Sequence, residues 1–257
     1  MININRFLNW NNINKLIWFF GVSTLISGCG LENKDNYADD FYPEGINKIW
    51  AHRVNTIEDA ERFSDKFYGI EVDLFYIAHL DAFEVRHDKK DSNNLYLDSF
   101  LEALSTKPNL HFWFDLKNLS KNQEDKISSK MELLFEKYDL FERAFVESPT
   151  SRGLIKLQEK NIKTCLWLPG IGDKTEEEIE KQMQNTKENL SKGDFIAISC
   201  HYSKVDFFEK YFPDRNFFVW TNGLFTEEDK EIIKKIYKNE KLKIILIDYE
   251  DFDFLKD

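Results

Sequence analysis

From Ile46 onward the chain repeats one pattern: a short apolar run, then a segment whose apolar residues recur at helical spacing. The runs fall at residues 46–54, 69–75, 111–116, 143–147, 163–168, 194–200, 217–220 and 243–248, each of strand length. Between the first two, Ile57, Ala60, Phe63 and Phe67 share one helical face, and Thr56 with Asp59 three residues later has the spacing of a helix cap. Leu97, Phe100, Leu101 and Leu104 form the next such face, which Pro108 closes. Ile127, Met131, Leu134 and Phe135 form a third. Further helices are expected at residues 151–160, at 174–191, around Phe207, Phe208 and Tyr211, and after Thr226 through Ile232, Ile233 and Ile236. Residues 82–86 break the alternation and read as a small hairpin returning from the second strand. Strands joined through helices run parallel. Eight of them predict a (β/α)8 TIM barrel over residues 46–257, a single α/β domain slightly small against the ~250 residues usual for the fold, with a short or missing last helix. A doubly wound open sheet shares the alternation, but no G-x-G-x-x-G follows the first run.

The polar residues of chemical interest lie at the ends of these runs. His52 and Arg53 end the first, Glu71 and Asp73 the second, and Asp115 and Lys117 the third, with His87 and Asp88 just after the hairpin. In a strand, residues i and i+2 project to one face, so Glu71 and Asp73 point the same way. Adjacent carboxylates repel unless a proton or a cation sits between them. Oxygen donors of this kind suit Ca²⁺ or Mg²⁺, and histidine is suited to proton transfer near neutral pH. Barrels of this type carry their active sites at the C-terminal strand ends, where these residues fall. Glu147 and His201 also lie near strand ends without an assigned role, and His79 and His111 read as structural.

The set His52-Arg53, Glu71/Asp73, His87-Asp88 and Asp115-Leu116-Lys117 resembles the glycerophosphodiester phosphodiesterase family, of the phospholipase C-like phosphodiesterase superfamily, in the family's order. The resemblance implies Glu71, Asp73 and Asp115 as ligands of Ca²⁺ or Mg²⁺, with His52 and His87 as general acid and base. It further implies Arg53, Lys117, Asn55 and Trp220 as residues that touch the substrate. The expected activity is cleavage of glycerophosphodiesters or phospholipid head groups, an adjacent substrate hydroxyl attacking phosphorus. Some positions depart from the family: Val54 and Asn55 follow His-Arg where it has a Gly and later a Glu-Asn-Thr, Asp115 stands where it has Glu, and the loop at 89–94 replaces a larger insertion. The start Ala51-His52 with Val54-Asn55 and the Asp-x-Lys are also similar to menorin-like and sphingomyelinase D-like branches. The alternative to an enzyme is a non-catalytic barrel lipoprotein that binds a phosphorylated ligand or a partner protein.

Charge argues against nucleic acid as a partner, since a formal −11 leaves no basic stripe for a phosphate backbone. Before the barrel, residues 1–28 read as a signal peptide: Arg6 and Lys15 without acidic residues, an apolar run over 16–26, then Leu25-Ile26-Ser27-Gly28-Cys29. This resembles a bacterial lipoprotein processing box and implies a lipidated Cys29, a tether over 29–45 and a membrane-anchored location in the cell envelope. Cys165 and Cys200 lie in apolar runs and read as buried thiols or as a disulfide.

Overall fold

The computed structural model describes residue 42 and residues 45–90, 92–222 and 226–248. The proposed signal peptide, Cys29 and any helix after residue 248 lie outside the described residues. The chain enters the barrel through β1 (Ile49–Ala51). The other barrel strands are β2 (Gly69–Ile77), β4 (His111–Leu116), β5 (Ala144–Ser148), β6 (Lys163–Trp167), β7 (Ala197–His201), β8 (Phe217–Trp220) and β9 (Leu242–Ile247). These eight strands pair in parallel around a ring, and β1 closes it by bonding to β9 on one side and β2 on the other. The TIM barrel is the fold. The hairpin is also present: β3 (Ala82–Val85) runs antiparallel to β2 outside the ring.

Local sequence explains the helices that cross between strands. Thr56 caps α1 (Ile57–Phe63) by accepting the Asp59 amide. The helices α2 (Leu97–Ala103), α3 (Glu124–Lys137) and α4 (Ser151–Gln158) turn Phe100, Met131 and Leu154 onto the sheet. In α5 (Glu176–Leu190) and α7 (Glu227–Tyr237), threonine and an acidic residue three later form reciprocal capping boxes, each with acidic residues in the first turn where the helix dipole favours them. Between them, α6 (Val205–Tyr211) buries Val205 and Phe208.

Two apolar cores result. The larger lies between the sheet and the helices. The smaller fills the barrel itself, with Trp50, Trp113, Phe145, Cys165, Ala197, Phe218, Ile244 and Leu246. In that inner layer β2 contributes only space. A Cβ on Gly69 would stand 2.4 Å from the Trp50 indole, so glycine there makes room for the tryptophan. Cys165 and Cys200 are free, buried thiols. The aromatic layer closes the barrel below, so the carboxylates of β2 and β4 stand above it on a packed floor.

Candidate active site

Register places the carboxylates together. Asp73 of β2 is level with Asp115 of β4, and Asp115 is level with Glu147 of β5. Ligand oxygens of Glu71, Asp73 and Asp115 all lie within 4.8 Å of one another. Glu71 and Asp73 are 2% and 1% exposed, so bulk water does little to screen their repulsion. The chain supplies part of the compensation. Lys117 Nζ stands 2.6 Å from Asp73 Oδ1 and also pairs with Asp115. Asn55 Nδ2 donates to Asp73 Oδ2 at 2.6 Å, while its Oδ1 accepts the Asp73 amide at 3.0 Å. The Arg53 amide donates to Glu71 Oε2 at 2.7 Å. That last bond uses an unusual backbone: Arg53 has φ +55°, the left-handed region that a side-chain-bearing residue enters at a cost of about 1–2 kcal/mol.

The compensation is uneven. Burial, then Asp73 and Asp115, push the Glu71 carboxyl well above the usual carboxylate range, against the pull of Lys117 and the Arg53 amide. Burial also raises Asp115, with Asp73 adding to it and Lys117 opposing. At Asp73 burial acts upward too, but Lys117 and Asn55 outweigh it and the carboxyl is held low. For Lys117, burial disfavours the charged form, yet Asp115, Asp73 and Glu71 together keep it firmly protonated. With all three ionised, the carboxylates less the Lys117 ammonium would carry two negative charges, which one divalent cation would balance, and hard oxygen donors are what Ca²⁺ or Mg²⁺ takes.

Both histidines reach the same cavity of about 320 Å³, which Arg53, Glu71, Asp73, Asp115, Lys117 and Trp220 also line. His52 leaves the end of β1 beside the last strand, where its amide donates to the Ile247 carbonyl and its Nδ1 lies 3.0 Å from Asp248 Oδ1. That contact leaves Nε2 for other work. His87 arrives by the hairpin: the Arg86 amide donates to the Asp73 carbonyl at 3.0 Å, which brings the following residue over β2. Its ring is half exposed, with Nδ1 3.4 Å from Asp88.

The loop behind His87 is tied down by Glu84 of β3. Its Oε1 accepts from Ser92 Oγ at 2.5 Å and from the Asn94 amide at 3.1 Å, and its Oε2 lies 3.2 Å from Arg86. Asn55 is absent from the cavity lining, its amide being committed to Asp73 on both sides. Trp220 is on the wall, its ring edge-on to His201 at 5.0 Å between centroids. His201 itself caps the turn after β7 through Ser203. His111 stacks on Tyr68 at the opposite end of the barrel.

The sequence reading left four contributors without a role. Asp248 ends β9, and only barrel closure brings it to His52, 196 residues away. Glu147, left without a role, is 2% exposed on the cavity wall, and burial followed by Asp115 pushes its carboxyl well above the usual range. Trp113 and Trp167 complete the wall together with Pro149, Asn222 and Leu246. One signal was available for Asp248 and Glu147: both are acidic residues at the C-terminal ends of strands.

No family model matches the chain, and no curated protein sequence matches it. Among solved structures it is similar to a phosphodiesterase of Oleispira antarctica, solved in complex with the product sn-glycerol-3-phosphate. That likeness covers 84% of this chain and 98% of the other, with TM-score 0.59 and 13% identity. It is also similar to a glycerophosphodiester phosphodiesterase of Parabacteroides distasonis over 83% of this chain and 98% of the other, with TM-score 0.61 and 18% identity. What the chain shares with these proteins is the fold, a closed eight-stranded parallel barrel with helices between its strands.

Proposed function

We propose that the protein is a metal-dependent phosphodiesterase that cleaves glycerophosphodiesters or phospholipid head groups. The observation that carries this reading is the meeting of Glu71, Asp73 and Asp115 with His52 and His87 on one cavity at the C-terminal end of the barrel. The phosphodiesterases that share the fold support the reaction class. Glu71, Asp73 and Asp115 would hold the cation. A divalent ion there would supply positive charge to phosphate oxygens as their negative charge grows.

The remaining work belongs to the chain. Arg53 at the rim of the cavity reaches the phosphate with a guanidinium fork, whose paired N–H groups match its oxygens. Lys117 holds Asp73 and Asp115 in place and presents positive charge beside them. One histidine takes the proton from a substrate hydroxyl as its oxygen attacks phosphorus. The other gives a proton to the alcohol oxygen whose bond to phosphorus breaks. A hydroxyl already in the substrate gains from proximity and needs no protein nucleophile. The product of that step is a cyclic phosphate, which water opens with the histidine roles reversed. Asp248 fixes the orientation of the His52 ring throughout.

Substitution of the histidines tests the mechanism. His52→Ala and His87→Ala should each lower kcat by about a hundredfold or more, with binding of glycerol phosphate largely kept. Full activity in both variants would remove the acid–base scheme. We also propose that the barrel is held at the cell envelope by acylation of Cys29, a reading supported by the apolar run and the small residues before it. Labelled fatty acid should enter the full-length protein in a bacterial host and be absent from Cys29→Ala; equal labelling would refute the anchor.

A further inference from the structure

The proposed reaction leaves Glu147 without a role. Glu147 is 2% exposed and lines the cavity, and its Oε2 has no hydrogen-bond partner among the described residues. It stands outside the trio of Glu71, Asp73 and Asp115 that gathers within reach of a single ion. Trp113, 1% exposed and on the same cavity, has an indole N–H that is also without an acceptor. The two are diagonal neighbours on the inner face of adjacent strands, because Trp113 is level with Phe145, two residues before Glu147. The Ser199 hydroxyl stands beside Glu147 and draws its carboxyl down against burial, while Oε2 stays without a partner. Buried polar atoms in folded proteins nearly always have partners, so orphans gathered on a cavity wall point to a partner from outside the chain.

The inventory selects that partner. A cation would satisfy the carboxylate and leave the indole N–H unpaired; an anion would do the reverse. A hydroxyl donates to one and accepts from the other. We infer that Glu147 and Trp113 form a hydroxyl-binding subsite on the cavity wall, which selects phosphoesters whose alcohol carries a free hydroxyl. This rests on the reading of the cavity as a phosphoester site, and names the part of the substrate that this wall recognises. A site built to pair a substrate hydroxyl rejects an analogue lacking it more strongly than an apolar pocket rejects a change in size, because its own polar groups are then left unpaired.

The test compares glycerol 3-phosphate with n-propyl phosphate, of equal chain length and without hydroxyls, by calorimetry on the full chain with Ca²⁺ or Mg²⁺ present. The first should bind at least about tenfold more tightly, the factor that one hydrogen bond of ordinary net strength supplies. In Glu147→Met that ratio should fall to within about twofold through weaker binding of glycerol 3-phosphate alone, while Glu147→Gln, which keeps an acceptor, retains most of it. Trp113→Phe removes the donor and keeps the ring; it should lower the ratio independently, which covers a failure of the methionine variant to fold. Equal affinities in the unaltered protein, no binding of either ligand, or a ratio unchanged in both variants would overturn the subsite. Hydroxyl discrimination without turnover of any diester would count against the phosphodiesterase reading and leave the subsite standing.

Discussion

Charge compensation at single residues decides what this site can do. Glu71 and Asp73 are two residues apart on one strand, yet their carboxyls are driven in opposite directions: burial and its acidic neighbours raise Glu71, while Lys117 and Asn55 hold Asp73 low. The difference is one of partners, since both are buried. Asn55, expected to touch the substrate, holds Asp73 with both ends of its amide. His52 shows the same dependence on a partner. Its Nδ1 contact with Asp248 fixes the ring, so Asp248→Asn should lower kcat by roughly tenfold or more with KM little changed, because an amide holds the imidazole in a less suitable tautomer. Steady-state kinetics beside a circular dichroism spectrum would check this, and an unchanged kcat would separate Asp248 from the mechanism.

At the scale of elements, the hairpin of β2 and β3 is the device that delivers His87. Its strands hold position through the pairing of Leu74 with Val85, and its outgoing loop is clamped by Glu84. Burial acts to raise the Glu84 carboxyl, but Ser92, the Asn94 amide and Arg86 outweigh it and hold it below its usual value. A depressed folded value means that the clamp stabilises the fold above the unfolded pKa of about 4.3 and loses that contribution as pH falls through the folded value. Glu84→Gln should therefore cost about 1–3 kcal/mol at neutral pH, with the gap to the unaltered protein closing below about pH 4. Urea unfolding at pH 7 and pH 3.5 measures both, and a gap independent of pH would show that the charge of Glu84 does not hold the loop. The sequence made the hairpin legible through its polar-flanked apolar run, and Thr56 as the cap of α1 through its spacing to Asp59. Element ends were less legible: the first run reads as 46–54, whereas β1 is Ile49–Ala51, since His52 and Arg53 turn out of the strand to meet Asp248 and Glu71.

For the whole molecule, parallel topology made the sequence unusually readable. In a barrel whose strands follow one another around the ring, local alternation also fixes which strands are neighbours for all but the closing pair. The ends of successive strands therefore collect residues that are visibly placed in the sequence, as with Glu71, Asp73, Asp115 and Lys117. What stayed hidden depends on closure and depth. Asp248 meets His52 only because β9 returns to β1, and Trp113 and Trp167 read as ordinary apolar strand residues until the inside of the barrel is known. Glu147 and Ser199, on β5 and β7, come together only across the barrel interior, a relation that no spacing encodes.

Three carboxylates and two histidines meet at one barrel mouth, and the proposed activity is that of a metal-dependent phosphodiesterase. Phosphorus NMR of the protein from Gly30 onward, incubated with glycerophosphodiesters and lysophospholipids in Ca²⁺, Mg²⁺ or chelator, tests it most directly. Release of phosphomonoester, by way of a transient cyclic phosphate, should need a divalent cation and stop when chelator removes it. Turnover at the same rate in chelator, or no turnover of any diester by metal-loaded protein, would contradict it.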